Sequence, residues 1–397
     1  MREHNLQLVL AEILRRGLTT RGQIGSATGL AKGSVSTLVR DLMDMGLVLD
    51  LGAQPDGERG RPTARLTLNR DAYAGLGLEV NVDYISACVT DLGHQVRYHK
   101  IETADNRLEP PALVLRRLVS LARGAAAAAQ SQRLRVAGAV LALPGLVDAA
   151  SRRVLRAPNL NWTDIAISGL LAESGLSDST LQVDNEANLA AMGELWFGVG
   201  VSHRSYVFVS GEIGVGAGIV VDGQIYRGAH GFSGEIGHVI IDPEGRPCGC
   251  GGRGCLEQYA GQEAMLRDAG LDMQPATSTG LPAGPIFQLH QRLLAADPAA
   301  TAAVVRAGRA LGIGLASVLN IVDTEAVVLG GIYAPLAPWL LEPVRAELKA
   351  RLLAAQWGKS DPLLVVSPLG ADAAVRGAAG RVVNDLLSSP GRLIAHN

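Results

Sequence analysis

Apolar residues in the first seventy positions recur at helical spacing in three segments. The first segment predicts an amphipathic helix that ends at Gly17. Thr20 and Gln23 have the spacing of a capping box, which opens a short second helix through Ala27. A third helix is predicted from about Lys32 to Met45. The inward-facing positions of the first and third helices are Leu6, Val9, Leu10, Ile13, Leu14, Val35, Leu38, Val39 and Leu42.

The third helix is predicted to expose small polar and basic side chains, and two strands follow it. The strands Leu47–Leu51 and Arg65–Leu68 flank a turn-rich loop. Three helices alone are common, but the added hairpin favours a winged helix-turn-helix, whose last helix and wing contact bases and phosphates. The predicted DNA-contacting residues are Lys32, Ser34, Ser36, Thr37, Arg40, Arg59 and Arg61.

From Tyr73 onward the pattern changes to strands alternating with helices. Three strands are predicted within residues 74–101, followed by a helix from about Pro111 to Gln130 and an apolar strand. A second helix and a strand ending at Val183 complete this unit. Further on, Asp297 starts a helix, Leu311–Asn320 forms another, and Ala326–Gly331 is a buried strand. Residues 270–285 are expected to form a surface loop.

A glycine-rich stretch from Gly211 to Glu257 holds a set of metal-ligand side chains. Cys248, Cys250 and Cys255 follow His238, and three thiolates with one imidazole fill the coordination of a tetrahedral structural zinc ion. Reduced cysteines or a disulfide are the alternatives, but a Cys-x-Cys disulfide is strained. The sequence therefore predicts a structural Zn²⁺ that orders the loop.

Two carboxylates flank these ligands. Glu235 precedes His238 by three residues and Glu257 follows Cys255 by two. Carboxylates held in place by an ordered loop are good acceptors for the paired hydroxyls of a sugar. Solvated loop charges are the alternative interpretation.

This stretch resembles the zinc and sugar signature of the ROK family of repressors and sugar kinases. The resemblance rests on Gly-Glu-Ile-Gly-His at 234–238 and on Cys-Gly-Cys-Gly-Gly-Arg-Gly-Cys-Leu-Glu at 248–257. It implies an α/β fold: the winged helix-turn-helix followed by a two-lobed, actin-like (ribonuclease H-like) sugar-kinase-type domain. The run Asp-Asn-Glu-Ala-Asn at 184–188, together with the winged helix, resembles the xylose repressors most closely within the family.

The kinases of the family have Asp-x-Gly-Gly-Thr-Lys at their first phosphate loop, and this chain departs from it. Leu78–Asp83 stands there instead, so side chains obstruct the approach of a phosphate to the backbone. Glu212 occupies a position where the kinases carry Thr, and a carboxylate repels a triphosphate. Both departures favour a regulator without enzymatic activity over an active ATP-dependent sugar kinase with an appended DNA-binding domain.

The sugar side of the resemblance is retained. Asn185-Glu186 matches the Asn-Asp pair in which the family's kinases carry their general base, here one methylene longer. Asn159 matches an asparagine that the family places near the sugar, although turn formation explains it equally well. With Glu235, His238 and Glu257, these residues form the predicted sugar site.

Charge and apolar patterning indicate neither a strongly basic nucleic-acid-binding protein nor a membrane or secreted protein. A net charge of −2 means that any DNA binding must rest on a local basic surface. The apolar runs are too short or too interrupted to span a bilayer, and the N-terminus lacks a signal-peptide cleavage pattern. The prediction is a cytoplasmic, sugar-responsive repressor that binds an inverted-repeat operator as a homodimer or a dimer of dimers. Its domains are predicted at residues 1–70, at 71–184 completed by a C-terminal helix at 372–397, and at 185–371.

Overall fold

The computed structural model describes residues 1–54, 63–168, 181–271, 285–358 and 362–391. Its elements form an N-terminal three-helix unit and two five-stranded sheets, each with helices packed against it.

The three helices predicted at the N-terminus are confirmed. They are α1 (Arg2–Arg16), α2 (Arg21–Thr28) and α3 (Lys32–Asp44). Gly17 ends α1, and Thr20 forms the predicted capping box with Gln23. The predicted inward residues are buried except Leu14, which is 37% exposed. Leu14 was wrongly placed because it lies at the margin of the helix's apolar stripe.

The predicted strand pair is also present, with one additional strand. The strands are β1 (Leu18–Thr20), β2 (Val48–Gln54) and β3 (Thr63–Leu68), in the order β1-β3-β2. β1 was not predicted, because three residues are too few for a periodic pattern. The intervening residues 55–62, with Arg59 and Arg61, lie outside the described residues.

The first large sheet has the order β11-β7-β4-β5-β6. Its strands and the helix on one face are β4 (Tyr73–Val80), β5 (Tyr84–Asp91), β6 (Val96–Thr103), α4 (Pro111–Ser131), β7 (Arg135–Leu143) and β11 (Leu181–Asn185). Every residue of β4 is buried, because α4 covers one face of the sheet and the C-terminal helix α12 (Ala373–Ser388) covers the other. α12 ends earlier than predicted, and residues 392–397 lie outside the description.

The helix expected between β7 and β11 is wrong for residues 146–166. Three short strands stand there: β8 (Leu146–Asp148), β9 (Arg153–Ala157) and β10 (Trp162–Ala166). The side chain of Asp148 accepts hydrogen bonds from the backbone of Ala150 and Ser151, which stabilises a turn in place of a helix. Residues 169–180 lie outside the described residues, so a helix there stays a prediction.

The second large sheet has the order β14-β13-β12-β15-β16. Its strands are β12 (Tyr206–Gly211), β13 (Val215–Val221), β14 (Gln224–Ile225), β15 (Ala326–Gly331) and β16 (Leu363–Val366). The helices of this part are α5 (Glu186–Phe197), α6 (Glu257–Ala260), α7 (Gln262–Asp268), α8 (Pro285–Leu294), α9 (Pro298–Val322), α10 (Tyr333–Arg351) and α11 (Leu353–Gln356).

The helix α9 begins after Asp297 as predicted but continues without a break to Val322. The separate helix predicted at Leu311–Asn320 is therefore wrong. Gly312 does not end α9, because it packs against Val344 and Glu347 of α10. Among the described residues, α9 alone is long and apolar enough to span a membrane. Most of its apolar stretch is nevertheless buried within the protein.

The core of the N-terminal unit extends into the C-terminal helix. Val383, Leu386 and Leu387 of α12 belong to the same buried cluster as Leu6 and Val9 of α1. The same helix packs on β4, β7 and α5. The N-terminal unit is thus joined to the first large sheet through α12 as well as through the chain itself.

Candidate functional site

A cavity of about 250 Å³ lies where residues following strands of both large sheets meet. All six residues predicted to bind sugar line it: Asn159, Asn185, Glu186, Glu235, His238 and Glu257. They come from four separate segments of the chain, at residues 159, 185–186, 235–238 and 257. The structure therefore brings these side chains together, while their contact with a sugar stays a prediction.

Asn185 positions the helix α5 at the cavity. Its Oδ1 accepts hydrogen bonds from the backbone N–H groups of Ala187 and Asn188 at 2.9 and 3.1 Å, and its Nδ2 donates to the carbonyl of Gly145 at 3.0 Å. Asn185 is thus the N-cap of α5. Because these bonds engage both ends of its amide, its main effect is to fix the neighbouring Glu186.

Glu186 brings a buried carboxyl oxygen to the cavity. Its Oε2 is buried and has no hydrogen-bond partner in the protein. Burial, with further contributions from Glu79, Glu235 and Asp83, raises the pKa of Glu186 to about 8. A carboxyl group that keeps its proton near neutral pH can donate to a ligand oxygen as well as accept from a ligand hydroxyl.

Two further carboxyl groups lie beside Glu186 and were not predicted as site residues. Glu79 and Glu212 line a small cavity of about 20 Å³ that also borders Glu186. Burial raises the pKa of Glu79 to about 7, although Tyr84 and Ser86 donate to its carboxylate at 2.8 and 3.1 Å. Burial and the nearby carboxyl of Glu186 raise the pKa of Glu212 well above its usual range.

The sequence contained signals for these residues. Glu79 lies in the segment that departs from the kinase phosphate loop, and the family pattern at Glu212 indicates only repulsion of a phosphate. Asn81, Gln258 and Glu263 also line the main cavity and were not predicted. Among the described lining residues of both cavities there is no lysine or arginine. The lining is therefore poor in groups that bind an anionic phosphate.

The predicted metal ligands converge. The ligand atoms of His238, Cys248, Cys250 and Cys255 all lie within 4.8 Å of one another. The Sγ atoms of Cys250 and Cys255 are 3.7 Å apart, and Cys248 Sγ is 3.9 Å from Nδ1 of His238. A tetrahedral ion with bonds of about 2.3 Å separates its sulfur ligands by about 3.8 Å. The donor set could therefore hold a four-coordinate metal ion.

One glycine is required for this arrangement. Gly254 has a φ of 70°, and a side chain there would collide with the carbonyl oxygen of Asp242. Its own backbone atoms bond to Ile241 and Arg246. The backbone just before Cys255 therefore approaches its neighbour more closely than any other residue type allows.

None of the residues predicted to contact DNA on α3 lines either cavity. Lys32, Ser34, Thr37 and Arg40 are exposed and Ser36 is half-buried. The hydroxyls of Ser36 and Thr37 donate to the carbonyls of Lys32 and Gly33 at 2.9 and 3.1 Å. Arg59 and Arg61 lie outside the described residues, so their contribution stays a prediction.

Two sheets of related topology with a polar cavity between them define a sugar-kinase-type fold. The chain belongs to the ROK family, whose model matches residues 75–384. This confirms both the resemblance found in the sequence and the predicted two-lobed domain. The first large sheet is the first lobe, and the second large sheet is the second lobe.

Relatives of two kinds are similar to this chain. The xylose repressor of Bacillus spizizenii is 31% identical over 386 residues, which cover 96% of each chain. The solved structure of a ROK family transcriptional regulator, a homologue of the Escherichia coli Mlc protein, has a TM-score of 0.79 at 27% identity and covers 99% of this chain and 98% of its own. A ROK family glucokinase of Streptomyces griseus, solved with glucose and AMPPNP, has a TM-score of 0.65 at 27% identity. It covers 78% of this chain and 98% of its own.

Proposed function

We propose that this protein is a transcriptional repressor whose affinity for operator DNA is controlled by a monosaccharide bound in the cavity. The observation that carries the proposal is the extent of the similarity. The xylose repressor and the regulator structure match nearly the whole chain, whereas the glucokinase matches 78% of it. The family model begins at residue 75, so α1 to α3 lie outside the part that sugar kinases share.

The proposed effector is a neutral monosaccharide, with D-xylose as the first candidate because the relative is named a xylose repressor. The six predicted residues supply carboxyl, amide and imidazole groups to one cavity. Such groups pair with adjacent hydroxyls, and their spread over both lobes lets a bound sugar favour one lobe orientation. His238 would face the sugar with one edge of its ring and hold the metal with a ring nitrogen.

The proposed metal is a structural Zn²⁺ held by His238, Cys248, Cys250 and Cys255. Three sulfurs and one imidazole are the donor set that zinc prefers, and four protein ligands leave no open position for chemistry. The ion would fix the loop that carries Glu257. Its contribution is therefore to order the cavity wall.

The proposed DNA contact is the exposed face of α3 together with the loop 55–62, in a winged helix-turn-helix formed by residues 1–70. A homodimer or a dimer of dimers would bind two half-sites of an inverted repeat. The first lobe would comprise residues 71–184 and α12, and the second lobe residues 185–371. Such a regulator would act in the cytoplasm without entering a membrane.

The alternative is an ATP-dependent sugar kinase, as the glucokinase similarity allows. The described lining argues against it, because it holds no lysine or arginine to bind a triphosphate and places the carboxyl groups of Glu79 and Glu212 beside the cavity. Purified protein should show no sugar-dependent ATP consumption, and a thermal-shift screen should find a stabilising monosaccharide. Phosphorylated sugar formed at about 1 s⁻¹ or faster would contradict the proposal.

A further inference from the structure

A set of polar contacts, which we call the clamp, joins the wall of the cavity to the C-terminal helix. Asp184 is 3% exposed and lies next to Asn185 at the end of β11. Its Oδ2 accepts a hydrogen bond from Nη1 of Arg381 on α12 at 2.6 Å. Two residues earlier, Gln182 donates to Oδ2 of Asp385 at 2.9 Å.

The spacing of these two contacts fixes how α12 lies on the strand. Residues i and i+2 of a strand are separated by about 6.6 Å, and residues i and i+4 of a helix by about 6 Å along its axis. Gln182 therefore pairs with Asp385, and Asp184 pairs with Arg381. A displacement of α12 along β11 breaks both contacts together.

A third contact of the clamp comes from the second lobe. Arg227 follows β14 and binds Asp184 through both terminal nitrogens, at 2.9 and 2.6 Å. Its segment leads to Gly234 and Glu235, which line the cavity. The Asp184 carboxylate thus holds one arginine from the second lobe and one from α12, next to the residue that caps α5.

The same C-terminal half of α12 is embedded, through other side chains, in the N-terminal unit. Val383, Leu386 and Leu387 share a core with residues of α1 and α3. Along its length the helix is held tightly, because Gly75 and Gly77 of β4 leave no room for a Cβ beside its backbone. A movement of Arg381 therefore reaches α1 through the same two turns of α12.

We infer that Asp184 couples the effector cavity to the position of the DNA-binding unit. Closure or opening of the second lobe moves Arg227, the shared carboxylate follows, and Arg381 shifts α12 against α1. This inference rests on the proposed function for its biological meaning. The mechanical connection itself is a property of the described contacts. Asp184, Arg227 and Arg381 are positioning residues, since none of them lines the cavity.

The test uses the full-length chain and the variants Arg227→Met and Arg381→Met, which keep the aliphatic stem and remove the forked donor. Arg345→Met is the matched control, because Arg345 forms an exposed pair with Glu342 within α10. Hydrogen exchange is followed by mass spectrometry without any ligand. In both clamp variants, amides of α12 and α1 should exchange at least about fivefold faster, while those of α4 and α9 keep their wild-type rates. The control should match the wild type throughout.

A second readout separates coupling from general stability. The probes are D-xylose and a DNA duplex selected from a random pool with the wild-type protein. In Arg227→Met, the factor by which xylose changes the DNA dissociation constant should fall to below about a third of its wild-type value, with xylose affinity changed less than about threefold.

Unchanged exchange of α1 in both clamp variants would overturn the inference, and so would undiminished coupling in Arg227→Met. If the wild type itself does not respond to xylose, the proposed effector is wrong. The exchange measurement then decides the role of the clamp alone, so the two failures remain distinguishable.

Discussion

The Sγ atom of Cys248 lies 3.1 Å from Oε1 of Glu257, so the sulfur cluster and the polar cavity are in direct contact. Cys248 is buried among the proposed metal ligands, and Glu257 begins α6 and lines the cavity. His238 and Cys250 also line it. Loss of the proposed metal is therefore expected to displace groups of the cavity wall as well.

Replacing Cys250 with serine should release the metal and abolish sugar binding. A hydroxyl is a poor zinc ligand, and the remaining three ligands leave the glycine-rich loop without its fourth anchor. Metal analysis and calorimetry of the purified variant check this. The N-terminal helices should keep their protection against hydrogen exchange, because their core does not include the loop.

Cys88→Ala is the control for this change, since Cys88 is buried in β5 away from the cluster. It should retain one metal ion per chain. One zinc per chain still bound in Cys250→Ser would remove the proposed ligand set.

Replacing Glu257 with glutamine should weaken sugar binding at least about tenfold, which is 1.4 kcal/mol. The amide keeps the size and one acceptor oxygen but loses the charge that strengthens a hydrogen bond to a hydroxyl. Zinc content and operator affinity without sugar should stay near the wild type. Glu244→Gln in the exposed loop before the cysteines is the control. Equal sugar dissociation constants for Glu257→Gln and wild type would leave Glu257 as a neighbour of the metal only.

Stability should fall as pH rises from about 5 to about 8, and Glu186 should contribute to this fall. The folded pKa of Glu186 is about 8, against 4.5 for an ordinary glutamate. Between these values the folded state binds the proton and the unfolded state does not. The free energy of unfolding therefore decreases by up to about 1.4 kcal/mol per pH unit for this group.

Glu186→Gln should flatten the pH dependence measured by urea unfolding. Glu342→Gln is the control, because Glu342 lies on the exposed face of α10. A pH dependence in Glu186→Gln as steep as in the wild type would show that this carboxyl is ionised when folded. Some slope should remain in the variant, because the pKa of Glu79 is also raised, to about 7.

Sequence signals that act over a few neighbouring residues correctly predicted several helices. The capping box at Thr20, the apolar stripe of α3 and the N-cap at Asp297 each depend on residues of a single helix, and all three are present. The convergence of His238 with the three cysteines was also predictable, because ligand spacing within one loop limits where these side chains reach.

Features that depend on distant contacts were not predictable. Glu79 and Glu212 are 133 positions apart in the sequence. They lie beside Glu186 only because the two lobes meet there. The break predicted in α9 was wrong because packing against α10 stabilises glycine within the helix. The shared core of α1 and α12 joins the two ends of the chain, and no local pattern indicates it.

Replacing Arg61 with alanine should weaken DNA binding similarly on all operators and reduce the salt slope by about one. This expectation comes from the sequence, in which Arg61 lies between the two strands of the predicted wing. Changes at Ser36 or Thr37 on α3 should instead alter sequence preference. Binding titrations over a range of salt concentrations measure both effects, with Arg345→Ala on α10 as the control. An unchanged slope for Arg61→Ala would exclude the phosphate contact.

The most direct test of the account is the dissociation constant of the full-length protein for its selected operator duplex, measured by fluorescence anisotropy with and without saturating D-xylose. The account predicts that the sugar weakens operator binding at least about tenfold, which corresponds to a coupling free energy of 1.4 kcal/mol between cavity and DNA. An operator affinity that stays the same at saturating xylose, and with every other monosaccharide that binds the cavity, would contradict it.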